Sequence, residues 1–192
     1  MSEDFLAGRK KGLEDAFFAE QDALLRRRLR EADETGSRRK ALSSASGITD
    51  HATLERLEAL GITGETAAAL SLIPLVAIAW ADGRIEERER AAALSGAEGL
   101  GLTKGDPGYQ MFEGWLTRQP SPDLLMSWKA YIGALVPTLG QDARDALRGA
   151  LLGHARAVAE AAGGFLGLGS KISEAEQSVL ADLERAFAAS SP

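Results

Sequence analysis

Ala77-Ile78-Ala79-Trp80-Ala81-Asp82-Gly83-Arg84-Ile85-Glu86-Glu87-Arg88-Glu89-Arg90-Ala91-Ala92 is the stretch on which the fold turns. An apolar run stops at Asp82-Gly83, and a strongly charged helical pattern begins a few residues later. That change of pattern predicts a corner between two helices. Gly83 supplies the left-handed residue that ends the first helix, and Ile85 packs just ahead of the second as a hydrophobic staple.

The same corner also invites a metal reading. Laid over an EF-hand loop, Asp82 takes the fifth place, Gly83 the sixth, Ile85 the eighth and Glu89 the twelfth. The first and third places fall on Ile78 and Trp80, which carry no side-chain oxygen. Calcium takes about 6–8 oxygens, and this segment offers Asp82, Glu86, Glu89 and a backbone carbonyl. Carboxylates from elsewhere, such as Glu160 or Glu176, would have to complete the shell. In the competing reading Glu89 is a capping glutamate, bonded back to the start of its own helix. Asp82 separates the two, because the negative end of a helix has little use for an acid.

A degenerate second copy lies downstream. Ala157-Val158-Ala159-Glu160-Ala161-Ala162-Gly163 matches Ala77 to Gly83, and Ile172, Ser173 and Glu176 match Ile85, Glu86 and Glu89. The extra residues "GFLGLGS" separate the two parts of the second copy. Ser173-Glu174-Ala175-Glu176 reads as a capping box, worth about 1 kcal/mol. The pattern is that of an internally duplicated helix–corner–helix unit.

Outward from these corners, periodicity is helical nearly everywhere and strand-like alternation is absent. Thr49 or Asp50 caps a short helix with Leu54, Leu57 and Leu60 as its stripe and Gly61 at its end. "GETAAALSLIPLVAIAWADG" is apolar on all sides, which predicts a central buried helix that Pro74 either kinks or begins. Amphipathic helices follow after Ile85, over "DPGYQMFEGWLTRQP", over "SPDLLMSWKAYIGALVPTLG", from Gln141 to Ala162 and from Ser173 to Ala188. A charged amphipathic helix over Gly8 to Glu34, with Leu13, Phe17, Leu24, Leu25 and Leu29 on one side, precedes "TGSRRKALSSASG", which reads as a linker. The expected architecture is an all-α bundle. Residues 1–46 form the N-terminal helix and linker, and residues 47–192 form the main domain.

Composition narrows the function classes. The chain has 192 residues, a net charge of −6 and no cysteine. Thiolate metal sites, disulfides and thiol nucleophiles are therefore excluded. Residues 1–40 hold ten Lys/Arg against nine Asp/Glu, leaving 12 against 19 in the rest. An acidic body argues against nucleic-acid binding. No stretch has the apolar length of a membrane span, and the N-terminus lacks a signal-peptide core, so a cytoplasmic location is expected. "GFLGLGSK" lacks the order of a phosphate-binding loop and its preceding strand. "LLRRRLREADE" reads as a solvated helix face or a partner-docking surface. Trp80, Trp115, Trp128, Phe112 and Tyr131 are expected in the core, with an aromatic-lined protein groove as the alternative. His154 is expected to be packed and hydrogen-bonded within its helix. An enzyme using a pocket near His154 is the remote alternative, since no nucleophile or catalytic motif accompanies it.

"LIPLVAIAWADGRIEERERAAALSGAEGLGL" and the second copy, "AEAAGGFLGLGSKISEAEQSVL", resemble the TerB-like family, named for tellurite-resistance proteins, over roughly Gly64 to Phe187. The resemblance rests on a buried apolar helix running into A-D-G-x-I, with a glutamate four residues after the isoleucine. It implies a non-catalytic, pseudo-symmetric helical module in a bacterial stress-response system. It further implies a protein partner and a divalent cation, Ca²⁺ or another, at Asp82, Glu89 and Glu176, to which the corner itself adds Glu86. This chain departs from the pattern where Ala162, or Gly169, stands in place of the second aspartate. A purely structural or oligomeric scaffold without metal is the alternative, with the N-terminal helix as the element that would dock a partner or a second copy.

Overall fold

A computed structural model describes Arg27, residues 31–162 and residues 172–188. The chain divides into two units, residues 1–40 and 41–192. In the first, residues 31–40 are helical and almost wholly exposed. Arg27 and Glu31 pair one turn apart at 3.3 Å, and the Thr35 hydroxyl donates to the Glu31 carbonyl at 2.7 Å. Most of the helix expected over Gly8 to Glu34, including nearly all of its arginine run, lies outside the described residues.

The linker expected from Thr35 to Gly47 is instead helical through residue 46. Serine-rich composition suggested a loop, but within the second unit the hydroxyls are absorbed locally. Ser46 donates to the Leu42 carbonyl at 2.7 Å, and Ser43 donates to the Ile48 carbonyl at 2.6 Å. The Ser46 bond runs back one turn, the pattern by which a serine is accommodated in a helix, and Leu42 is fully buried. The first of the two units ends at Lys40.

The second unit is an all-helical bundle. Its helices are α1 (His51–Ala59), α2 (Ile73–Ala79), α3 (Glu87–Gly99), α4 (Pro107–Thr117), α5 (Asp123–Leu135), α6 (Gln141–Ala162) and α7 (Glu174–Ala188). Short 3₁₀ turns cover Ala67–Leu72 and Val136–Thr138. No strand occurs among the described residues, and none of their helices is long and apolar enough to cross a membrane. Asp50 caps α1, accepting the Thr53 N–H at 2.8 Å.

The central buried segment is shorter than its pattern suggested. A 3₁₀ turn leads into a seven-residue α2, with Pro74 in the first helical turn. A proline there removes an N–H that would have no intrahelical partner anyway. Leu70, Leu72, Ile73, Leu75, Val76, Ile78 and Ala79 are buried, because α2 touches α3, α4, α5, α6 and α7. This placement makes α2 the axis of the unit.

Two further contacts tie the bundle together. Trp128 of α5 meets Phe187 of α7 edge to face, with centroids 6.0 Å apart and planes at 71°. Gly96 of α3 admits the Leu75 side chain so closely that a Cβ on Gly96 would lie 2.7 Å from Leu75 Cδ2. The Tyr131 hydroxyl of α5 donates to the Ser46 carbonyl at 3.2 Å. Burial pushes that phenol up to about 12.

Candidate functional site: two acidic corners and an apolar groove

The first corner follows α2 directly. Gly83 adopts φ +88°, the left-handed conformation that glycine occupies without steric cost. Asp82 has a local use that its position at a helix end did not suggest. Its Oδ1 accepts the Arg84 N–H at 3.1 Å, the bond by which aspartate closes a turn on its own backbone. Its Oδ2 faces the Arg84 guanidinium at 3.5 Å, which also lies 3.6 Å from Glu86.

Glu89 and Glu176 occupy equivalent places at the starts of α3 and α7. The Glu86 N–H donates to Glu89 Oε2 at 2.6 Å. In parallel, the Ser173 N–H donates to Glu176 Oε2 at 2.7 Å, and the Glu176 N–H donates to Ser173 Oγ at 3.2 Å. Ile85 and Ile172, just ahead of the two helices, both pack against the core. The capping roles expected of both glutamates are therefore present, and so is the parallel between the two corners.

Neither glutamate lies on the surface, which sequence alone did not indicate. Each is only 4% exposed. Burial raises the Glu89 carboxyl above its ordinary range, against the lowering effect of its bond to the Glu86 N–H. The negative charges of Asp82, Glu176 and Glu86 push it the same way as burial. The two corners are thus near enough for one buried carboxylate to feel the other. Glu176 Oε1 is buried without a hydrogen-bond partner, a state that costs about 1–3 kcal/mol and more for a charged group.

The implied cation can be tested against these oxygens. One oxygen each of Glu89 and Glu176 is taken by a backbone N–H. Asp82 and Glu86 are turned to Arg84, and Glu160 is exposed on α6. Among the described residues no group of three His, Asp or Glu side chains is gathered as a metal would need. With one oxygen of each buried glutamate held by a backbone N–H, these side chains by themselves would supply only part of the six to eight oxygens that calcium takes.

Beside the first corner lies a groove of about 270 Å³. Val76, Ala77, Trp80 and Ala81 form one wall, Pro120 and Pro122 another, and Leu125 and Val179 close it. Among the described residues its polar side chains are Gln119 and Ser121. Trp80 is locked as part of the wall, since its indole N–H donates to the Trp115 carbonyl at 2.8 Å. Met126 is 58% exposed, the sole large apolar side chain so exposed among the described residues. It lies one helical turn beyond Pro122.

The aromatic set therefore divides. Trp128 and Phe112 are core, while Trp80 serves a groove. The sequence signal was available: a lone large ring interrupts a run of alanines, and two prolines share one short connection. His154 is half-buried on α6 and packs on α3, where a Cβ on Gly99 would meet its Cε1 at 2.7 Å. It does not line the groove. The loop "GFLGLGSK" lies outside the described residues. No protein-family model, no curated protein and no solved structure matches the chain.

Proposed function

We propose that the chain is a non-catalytic helical module of the TerB-like kind that works by protein contact through the groove between α2, residues 119–122, α5 and α7. The groove carries this reading: among the described residues it is lined by apolar side chains and two neutral polar ones, with no ionisable group. Such a lining suits the bulky apolar anchor of a partner's peptide segment, the kind of contact that dominates protein interfaces. Among the described residues that line it, the one hydroxyl, Ser121, donates to the Asp123 carboxylate at 2.9 Å. The family and the stress-response role rest on the sequence resemblance.

Peptides selected on the protein from a random displayed library should carry a large apolar residue and should move the Trp80 indole N–H resonance. Val179→Asp should weaken them by about tenfold or more, since burying such a side chain is worth about 1.5–3 kcal/mol and 1.4 kcal/mol is tenfold. Met126→Asp, at an exposed side chain adjacent in sequence to the groove-lining Leu125, provides a variant with little reason to unfold. Peptides that bind both variants as well as the parent would place the contact elsewhere.

This reading gives the acidic corners a structural role, so titration with Ca²⁺, Mg²⁺ or Mn²⁺ should leave the thermal midpoint unchanged. A specific site would add about 2.7 kcal/mol at a hundredfold excess over its Kd. A saturable gain of that size, abolished by Glu176→Gln, would restore the metal reading.

A further inference from the structure

We propose that Met126 is a site of reversible oxidation, and that its sulfoxide weakens a partner's hold on the neighbouring groove. The first support is access to sulfur. The chain has three methionines and no cysteine, so a peroxide finds no thiol to attack first. Met1 lies outside the described residues. Met111 of α4 is half-buried and packed against the core. Met126, in the first turn of α5, is 58% exposed, and among sulfurs of one kind oxidation follows exposure.

The second support is position. Leu124, Ser127 and Trp128 form the buried face of α5, and Leu125 lines the groove. The Met126 N–H donates to the carbonyl of Pro122 at 3.4 Å, which places Met126 one turn past a second residue of the groove wall. A groove of about 270 Å³ takes one anchoring side chain, whereas a stable contact covers about 800 Å² of each partner. The flanks of a bound partner must therefore spread over the side chains next to the groove, and Met126 is the large apolar one left open to solvent among the described residues.

Hydrogen peroxide alone balances the step. A lone pair of the Met126 sulfur takes one peroxide oxygen as the O–O bond breaks. The sulfur loses two electrons, the peroxide gains them, and the proton on the transferred oxygen passes to the departing hydroxide, which leaves as water. A flexible apolar side chain thereby becomes a polar one, and a sulfoxide reductase can return it to the thioether. Covering the thioether removes apolar surface from water, but covering the sulfoxide strips a strong acceptor of its hydration. This loss of grip rests on the groove as the contact surface, whereas the site of oxidation does not.

The test treats the full chain with hydrogen peroxide, maps the added oxygen by peptide mass and measures the binding of the library-selected peptides before and after. Met126 should gain oxygen about tenfold faster than Met111 in the folded chain, and the two should react alike in urea. Oxidation should weaken the peptides about tenfold, the scale of burying an uncompensated polar group. Methionine sulfoxide reductases with a dithiol should restore their binding. In Met126→Leu the same treatment should cause no drop. If Met111 reacts as fast as Met126 in the folded chain, or if the drop persists in Met126→Leu, the assignment is wrong. It is also wrong if Met126 is fully oxidised while peptides that Val179→Asp weakens still bind as before. Peptides that Val179→Asp leaves untouched would instead overturn the groove reading and with it the effect on binding, while the mass map would still decide where the chain is oxidised.

Discussion

Replacing Trp128 with alanine is expected to lower the unfolding free energy by about 3–5 kcal/mol, the usual range for emptying a large aromatic site. Trp128 is fully buried, and its edge-to-face contact with Phe187 joins α5 to α7. In a protein of this size the midpoint should fall by about 6–20 °C, at roughly 2–4 °C per kcal/mol. Trp128→Phe should be much milder, near 1–2 kcal/mol, because the ring contact survives in part and volume loss is smaller. The indole N–H is buried without a partner, so phenylalanine also removes an uncompensated donor. Thermal unfolding followed by far-UV circular dichroism checks both. A Trp128→Ala midpoint within 3 °C or so of the parent would mean that the α5–α7 contact is not part of the cooperative core.

The second large effect concerns the close approach of α3 to Leu75. Gly96→Leu should destabilise by about 1–3 kcal/mol, the range for overpacking a filled core. The near atom is the far end of Leu75, which is fully buried and has nowhere to go. Gly99→Ala provides the contrast. Its Cβ also comes within 2.7 Å of a side chain, but that side chain is His154 and is only half-buried. The imidazole can turn away, and alanine gains up to about 1 kcal/mol of helix propensity over glycine. Gly99→Ala should therefore be close to neutral. Equal losses at the two positions in urea denaturation would mean that His154 is held as rigidly as Leu75.

How far the chain could be read in advance depended on the range of the interaction involved. Gly61, Gly83 and the Ser173–Glu176 box act within four or five residues and are legible from their neighbours, whereas the cap of α1 was narrowed to Thr49 or Asp50 and the structure selects Asp50. The span of α6 was likewise legible, because twenty-two residues of unbroken periodicity outweigh any single breaker. The segment from Thr35 to Ser46 was misread for the complementary reason. Its serines and Gly36 weaken the local preference for helix, and the burial of Leu42 that supports one comes from residues distant in sequence. The 3₁₀ turn before Pro74 was hidden similarly, since an all-apolar run carries no periodicity to show where a helix begins.

The candidate sites follow the same division. Residue order by itself determined two helix starts with a glutamate in the third position, and an apolar axis running into the first corner. Local geometry requires those features wherever the chain goes. Only the tertiary structure decided that the two glutamates are buried within electrostatic reach of each other, that one of their oxygens has no donor, and that Trp80 walls a groove. Desolvation depends on which segments pack together, and the two glutamates lie nearly ninety positions apart in the chain. No pattern confined to either corner could have carried it.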